Sequence, residues 1–522
     1  MADARPFSVP LAIILGLLVL VSMLVSVPAF PATYTVDPAG DDAGPGNSGA
    51  PWRTVQKAAT SVTAGDVVLI HAGTYTESVS LRRSGTADSP IVFSAEPGAV
   101  LVSPNPTASL EAFDITAGTG FVSLIGIEAS GGFAETIFLR SGVHDITISA
   151  CNLHHNRAGI IMGGASNVTV DHCAIHHNRT LGIRFAAGTH DVSITDTDSF
   201  LNANGMGCNS SVDGFAAEPN TSGLTFTRVG AYGNGGDGFD LQGDQVTLND
   251  VVSTNNACTG IKLYQNASVR GCLAVSNGRG IAVTSLTGGS AVDIAHCTLA
   301  ANNGVAIDLT KPKAAMTTYA VQIRNSILSG NFKAIQYVQA AMLFEGHNIV
   351  FRPSPYDPVI SQIGGYKTSG HDLNLGVWAL RSNQGEGTLA VDPLFVDAAH
   401  ADLHVAATSA AVGRGEILDD TVPLPNLGFY QEPAGPTNHS PWADAGTNRK
   451  GRIRRALTFT ATGSLDPDDD TLSYSWDFGD GSSPANEFRA AHAYAAAGTY
   501  AVTLTVSDGA SSSQATILAA IR

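Results

Sequence analysis

The feature that most constrains this chain is a repeat of about 22 residues running through its middle. Asn recurs at 156, 178, 202, 234, 256, 277, 302 and 331, at intervals of 22, 24, 32, 22, 21, 25 and 29 residues. Around each Asn stand alternating apolar residues, a polar bend, the Asn itself, a short turn, then a small residue and a bulky apolar one. VTVDHCAIHHNRTLGIRF and VTLNDVVSTNNACTGIKL are two examples. Three apolar stretches per unit, each too short for a helix, are buried only when each unit stacks on its neighbours. Side chains then meet their equivalents one coil away, and a polar residue inside the bend can hydrogen-bond along the stack. This predicts an all-β fold built on a right-handed parallel β-helix. A leucine-rich repeat has a similar period, but its Leu-rich consensus is absent.

Cys151, Cys173, Cys272 and Cys297 each stand five residues before a repeat Asn. They are expected to form a ladder of small buried side chains rather than disulfides or a metal site. Ahead of the repeat, a short helix from about Thr54 to Ser61 is expected to cover the open first coil. The stretch Val391–Gly413 reads as the last rung-like segment.

These signals divide the chain into four parts. Residues 1–32 read as a signal peptide or a membrane anchor: Arg5 precedes an apolar run from Leu11 to Val27, then Pro28 and small residues around Ala29 and Ala32. Both readings place the rest outside the cytoplasm, secreted or anchored at the surface. Residues 33–432 form the β-helix domain, and 433–440 a Pro-rich linker. Residues 441–522 alternate strictly between Gly and Asp turns, which predicts an immunoglobulin-like β-sandwich. The acidic turn Asp466–Asp470 is read as solvated.

The net charge of −17 excludes the basic stripe that a nucleic-acid partner needs. It would also repel an acidic polysaccharide, unless a bound cation bridges the two. Such a cation has a candidate site. Aligning the units on the small residue after each Asn gives an outward ladder of Ile161, Arg184, Ala216, Asp240, Lys262, Ala282, Asp308 and Gln336. The residue before that Gly is Asp213 in one coil and Asp237 in the next. If Asp237 lies in the turn before its strand, Asp213, Asp237 and Asp240 meet on one surface, beside Lys262. Three unpaired carboxylates repel one another, and a hard cation relieves that. Ca2+ accepts six to eight oxygens in loose geometry, with Glu218 near enough in sequence to add one. The insertion Ala203–Val212, just before Asp213, is expected to form a wall or lid. His154-His155 and His176-His177 occupy equivalent bends on adjacent coils and read as solvated residues.

In these motifs the chain resembles the family-nine polysaccharide lyases, calcium-dependent pectate lyases on a β-helix. Asp213-Gly214-Phe215, Gly236-Asp237-Gly238-Phe239-Asp240-Leu241 and Gly260-Ile261-Lys262-Leu263 follow one another as that family's DGF, DDGWDL and GFKL coils do. The resemblance implies that Asp213, Asp237 and Asp240 ligate calcium and that Lys262 is the Brønsted base of a β-elimination. Gly236 stands where the family has a further Asp, so one expected ligand is missing. Arg279 is expected to hold a substrate carboxylate or stabilise the intermediate, and Arg184 to bind a neighbouring sugar. The C-terminal run Trp476-Asp477-Phe478-Gly479-Asp480-Gly481, with Gly498-Thr499-Tyr500, resembles the polycystic-kidney-disease (PKD) domain family. That resemblance implies a spacer or a surface or carbohydrate contact.

The expected function is therefore a monomeric, secreted lyase of a uronic-acid polymer, most simply pectate. A C5-epimerase sharing the same proton abstraction and a non-catalytic surface rod are the alternatives. For a bare Asp240–Lys262 pair the reading would be a surface salt bridge worth about 0–1 kcal/mol.

Overall fold

In the computed structural model the chain winds into a parallel β-helix with three strand ladders per coil. The structure describes residues 31–522 apart from 204, 206, 209–211, 285–288, 312–318, 339–340, 364, 383, 399–401, 417, 419–425, 431–440, 447–448, 465 and 467–470. The proposed leader up to residue 30, the linker 433–440 and most of the acidic turn Asp466–Asp470 lie outside the described residues. The expectation of membrane anchoring is corrected: among the described residues no helix is long and apolar enough to cross a membrane.

The repeat Asn side chains set the coil. Oδ1 of each accepts the backbone N–H of the Asn one coil earlier, over seven consecutive steps at 3.0–3.1 Å. The residue before every one of these Asn is left-handed, with φ between 51° and 67°, whether it is His155, Leu201 or Gly330. Side chains other than Gly resist that region. A buried hydrogen-bonded stack that fixes the next residue offsets the cost and makes each coil bend at the same place. The small residue after the bend is equally constrained. A Cβ on Gly238 would lie 2.4 Å from Ser253 Oγ and 2.7 Å from the Gly260 carbonyl, so only Gly lets the coils approach there.

The interior is a continuous apolar stack, including the stacked rings of Phe215 and Phe239 at 4.9 Å. Cys151, Cys173, Cys272 and Cys297 are buried and free, as the repeat predicts, with Cys272 and Cys297 paired in register. Helix Val55–Ser61 covers the first coil, capped by Thr54 Oγ1 on the Lys57 N–H at 3.1 Å, and it buries Val55, Ala58 and Ala59.

The parallel ladder ends at Pro358–Gln362, which pairs antiparallel with Lys367–Ser369; two short helices, Gly370–Asn374 and Val377–Ser382, follow. The expected rung within Val391–Gly413 is instead a hairpin. Phe395–Asp397 and Asp402–Val405 pair antiparallel, because so few residues between them leave no chain for a coil return. Leu403 of that hairpin packs on the flank of the helix with Phe200, Tyr232 and Leu273.

The C-terminal domain is a sandwich. One sheet orders Arg449–Gly451, Ser512–Ile521, Gly498–Ser507 and Ser473–Asp477; the other pairs Leu457–Thr460 with Arg489–His492. Trp476, Phe459, Tyr494 and Leu504 are buried between them.

Candidate functional site

The outward ladder is in register along its whole length. Ile161 pairs with Arg184, then Ala216, Asp240, Lys262, Ala282, Asp308 and Gln336, one per coil. Asp240 lies on the strand Phe239–Leu241 and Lys262 on Thr259–Leu263. Asp237 precedes its strand, in the turn, so it reaches the same side as Asp240.

The turns form a second ladder. Asp213 Oδ1 accepts the Asp237 N–H at 2.7 Å, and Asp237 Oδ1 accepts the Thr259 N–H at 2.6 Å. Each carboxylate thus spends one oxygen on the backbone of the next coil and is fixed by it. The other Asp237 oxygen, Oδ2, lies 3.2 Å from Lys262 Nζ, and Asp240 Oδ2 lies 3.1 Å from it. Asp240 Oδ1 is buried and makes no hydrogen bond. Asp237, Asp240 and Lys262 thus meet, and Asp213 joins them through the Asp237 N–H.

Asp213, Asp237 and Asp240 are 2%, 2% and 5% exposed, and the Lys262 side chain 20%. Burial, reinforced by Asp237, pushes the Asp213 carboxyl up to about 8. Burial also raises Asp240 against the pull of Lys262. For Lys262 burial acts downward, but Asp237, Tyr264 and Asp240 outweigh it and hold the amine above its ordinary value. Two buried carboxylates, Asp237 and Asp240, face one ammonium, and the acceptor atoms of the cluster, Asp213 included, are all carboxylate oxygens.

Glu218 stands apart from this group, against the expectation that it adds a ligand. It follows the end of its strand and turns toward the preceding coils, where the Arg184 guanidinium and the Ala187 N–H take its carboxylate. Arg184 is correspondingly tied to Glu218, with its side chain 46% exposed. Arg279, one coil beyond Lys262, lies 3.3 Å from Asp308 with its side chain 40% exposed. The sequence reading also missed the disulfide Cys208–Cys258, which fastens the insertion before Asp213 to the residue preceding Thr259. The signal available was that these two Cys alone fall outside the repeat's Cys position.

A second cluster, of His176, His177 and Asp444, is also able to hold a metal ion. The paired histidines are not the solvated bend residues expected: His176 is 2% exposed and stacks between His154, at 5.0 Å, and Phe200, at 4.6 Å. Burial lowers His176 and His177 below the ordinary imidazole value and brings His155 down to about 4. Nothing local to these bends signals the burial, because part of their cover is Asp444 of the C-terminal domain.

Comparison with known proteins bears on both domains. A family described as Pel9A-like, right-handed beta helix region, matches residues 34–336, and a PKD domain family matches 438–522. Among solved structures, pectate lyase Pel9A is 17% identical, covering 77% of this chain and 96% of its own, with a TM-score of 0.45. A rhamnogalacturonan lyase is 20% identical, covering 57% and 82%, with a TM-score of 0.41. The A-module of the Azotobacter vinelandii mannuronan C-5 epimerase AlgE4 is 16% identical, covering 57% and 86%, with a TM-score of 0.35. A microbial collagenase of Vibrio alginolyticus is 38% identical over 72 residues, 14% of this chain; the chain spans 9% of that protein's length. The family match covers more than half of the chain: it belongs to the Pel9A-like right-handed β-helix family and carries a C-terminal PKD domain.

Proposed function

We propose that the protein is a calcium-dependent lyase that cleaves a uronic-acid polymer, most simply pectate, by β-elimination. The observation that carries this reading is that Asp237 and Asp240 both reach Lys262 Nζ, with Asp213 tied to the Asp237 backbone from the coil before. The three aspartates would hold the ion, and the hydrogen-bond-free Asp240 Oδ1 fits a ligand atom awaiting a cation. Glu218 is left out of that set because Arg184 already occupies it. Bound there, calcium would neutralise a substrate carboxylate and the charge that builds on it as the neighbouring C5 proton leaves.

The chain's own residues do the rest. Lys262 Nζ, partly exposed on the same face, is the group placed to accept the C5 proton, and it does so only when neutral. The N–H groups of Asp237 and Thr259 hold the carboxylates in place. Arg279 and Arg184 present exposed guanidinium groups on either side of the cluster, suited to substrate carboxylates. The Cys208–Cys258 disulfide and the leader-like N-terminus support an extracytoplasmic setting. The PKD domain would then serve as a surface or carbohydrate contact.

The test is incubation with polygalacturonate, alginate or a glycosaminoglycan, with and without chelator, while the ultraviolet band of unsaturated uronate is recorded. A calcium-dependent rise on one polymer, abolished in Lys262→Ala, is expected. No rise on any of the three, in calcium, would overturn the lyase reading. Exchange of solvent deuterium into the polymer without that rise would replace it by an epimerase.

A further inference from the structure

The histidine cluster lies at the junction between the two domains. His154-His155 and His176-His177 occupy the same bend on adjacent coils, and their rings stack pairwise: His154 on His176 at 5.0 Å and His155 on His177 at 5.2 Å, each pair 5° from parallel. The column continues through Phe200 to Trp442 at 5.8 Å, just ahead of the sandwich. Trp442 Nε1 donates to Asp198 Oδ2 at 2.9 Å. Two residues later Asp444, its side chain 4% exposed, turns one oxygen into the cluster. Oδ2 lies 3.3 Å from His177 Nδ1, 4.0 Å from His176 Nδ1 and 4.0 Å from His155 Nε2.

The outer contacts of these groups fix where their lone pairs point. His176 Nε2 lies 2.9 Å from Asn152 Oδ1, an acceptor, so it carries the proton and leaves Nδ1 free to face His177 Nδ1 at 2.8 Å. His154 Nε2 faces Glu128 Oε1 at 3.4 Å, and its Nδ1 faces His155 Nδ1 at 2.7 Å. That relay places the His155 proton on Nδ1 and its lone pair on Nε2, toward Asp444. Asp444 is oriented in turn, with Oδ1 accepting the Gly446 N–H at 2.7 Å. The sandwich backbone closes over the site at Gly463, where a Cβ would lie 2.2 Å from Asp444 Oδ2 and 2.8 Å from His177 Cε1.

We propose that His176, His177 and Asp444, with a fourth position left to solvent, form a zinc-type site that fastens the PKD domain to the flank of the β-helix. A tetrahedral ion with bonds of about 2.0–2.1 Å needs ligand atoms roughly 3.3 Å apart. The three nearest are separated by 2.8, 3.3 and 4.0 Å, a spread centred on that value. Two imidazole nitrogens and one carboxylate suit zinc and its late first-row neighbours rather than calcium. The Asn152 contact to His176 is the outer hydrogen bond that a ligating histidine ordinarily makes. The proton shared between the close Nδ1 atoms of His176 and His177 would leave as the ion enters. This site is separate from the Asp213–Asp240 cluster and does not depend on the lyase reading.

The test uses the full chain without an affinity tag, stripped with chelator and titrated with zinc in millimolar calcium. One equivalent is expected to bind, with His177→Gln and Asp444→Asn each weakening it at least tenfold. Loss in Asp444→Asn places a ligand on the C-terminal side of the junction. His172→Ala serves as control, since among the described residues His172 with Asp171 and Asp196 is the other group with metal-like spacing. Cobalt in the unmutated protein provides a readout that needs no variant: intense visible bands mark four-coordinate geometry. Failure to bind a stoichiometric ion, weak octahedral cobalt bands, or binding lost in His172→Ala and retained in His177→Gln would each overturn the proposal.

Discussion

Replacing Lys262 by Met keeps the length of the side chain and removes the single ammonium that faces Asp237 and Asp240 at 3.2 and 3.1 Å. Breaking a buried ion pair from one side costs about 3–5 kcal/mol, and the 20% exposure of Lys262 places this pair below that range. A ceiling also exists, because an abandoned carboxylate can take up a proton. Doing so at pH 7 from an ordinary aspartate value costs about 4 kcal/mol. A loss of about 2–3 kcal/mol in chelator is therefore expected. With an unfolding entropy of about 2.1 cal/mol/K per residue over the coiled region, that is a fall of roughly 3–4 °C in Tm.

Calcium should narrow the gap. In the unmutated protein an ion competes with the ammonium for the same oxygens; in Lys262→Met it does not. An ion present at 100 times its dissociation constant stabilises by about 2.7 kcal/mol, so the variant should recover most of its deficit and show the larger calcium shift of the two. Scanning calorimetry of both proteins, in chelator and in calcium, reads this directly. Equal Tm values in chelator with equal calcium shifts would mean that Lys262 is an ordinary surface partner, worth about 0–1 kcal/mol, and that the carboxylates do not form a cation pocket.

Three further outcomes are expected. Lyase activity should climb with pH through the alkaline range, because only the neutral amine accepts a proton and Lys262 is held above its ordinary value; an optimum below neutrality would rule it out as the base. Asn256→Ala should cost about 3–5 kcal/mol in denaturant unfolding, since it strands the buried Asn234 N–H and Ala231 carbonyl, now bonded at 3.0 and 2.9 Å; a loss under about 1 kcal/mol would mean the stack is not stabilising. In the sandwich, the Ser482 hydroxyl, with His492, holds Asp480 down to about 2. A depressed carboxyl contributes stability that is present above its ordinary value near 3.8 and lost as pH falls toward 2. Asp480→Asn should therefore lower stability by about 1 kcal/mol at pH 7, with the gap closing between pH 4 and pH 2. A gap that persists at pH 2 would assign the effect to packing.

The coil and its site were legible because a β-helix converts sequence period into spatial register. Once eight Asn fix the phase, position along the unit names the face, and the outward ladder from Ile161 to Gln336 follows without long-range information. Asp237 was the uncertain step, since strict alternation would have put it opposite Asp240; it reaches the same side because it lies in the turn, where the alternation of a strand does not apply. What failed depended on contacts between non-equivalent parts. Glu218 was counted by closeness in sequence, but the bend after Ala217 points it back to Arg184. His176 read as a bend residue because its burial is supplied by Trp442 and Asp444, more than 260 residues later. The Cys208–Cys258 bond joins an insertion to a coil, and insertions carry no repeat phase. The segment around Asp402 kept the local alternation of a strand but lacked the chain length for a coil, so it paired antiparallel.

The two arginines that were expected to bind sugars gain a direction from the register. Arg184 lies two coils before Asp240 on the outward ladder, and Arg279 opens the strand Arg279–Thr284 one coil beyond Lys262, in register with Thr259. With strands about 4.8 Å apart, the first is about 10 Å from the carboxylates along the axis. Along the axis the order is guanidinium, carboxylate pocket, ammonium, guanidinium. Across it, along the strand Phe239–Leu241, the neighbours of Asp240 point inward and are buried. An anionic polymer would therefore meet cationic groups on both sides of the pocket only by lying parallel to the helix axis, with Glu218 and Asp308 holding the two arginines extended on either side of it. Arg184→Ala should then weaken binding of long oligomers while leaving short ones unaffected, and equal losses for dimers and for polymers would refute an axial path.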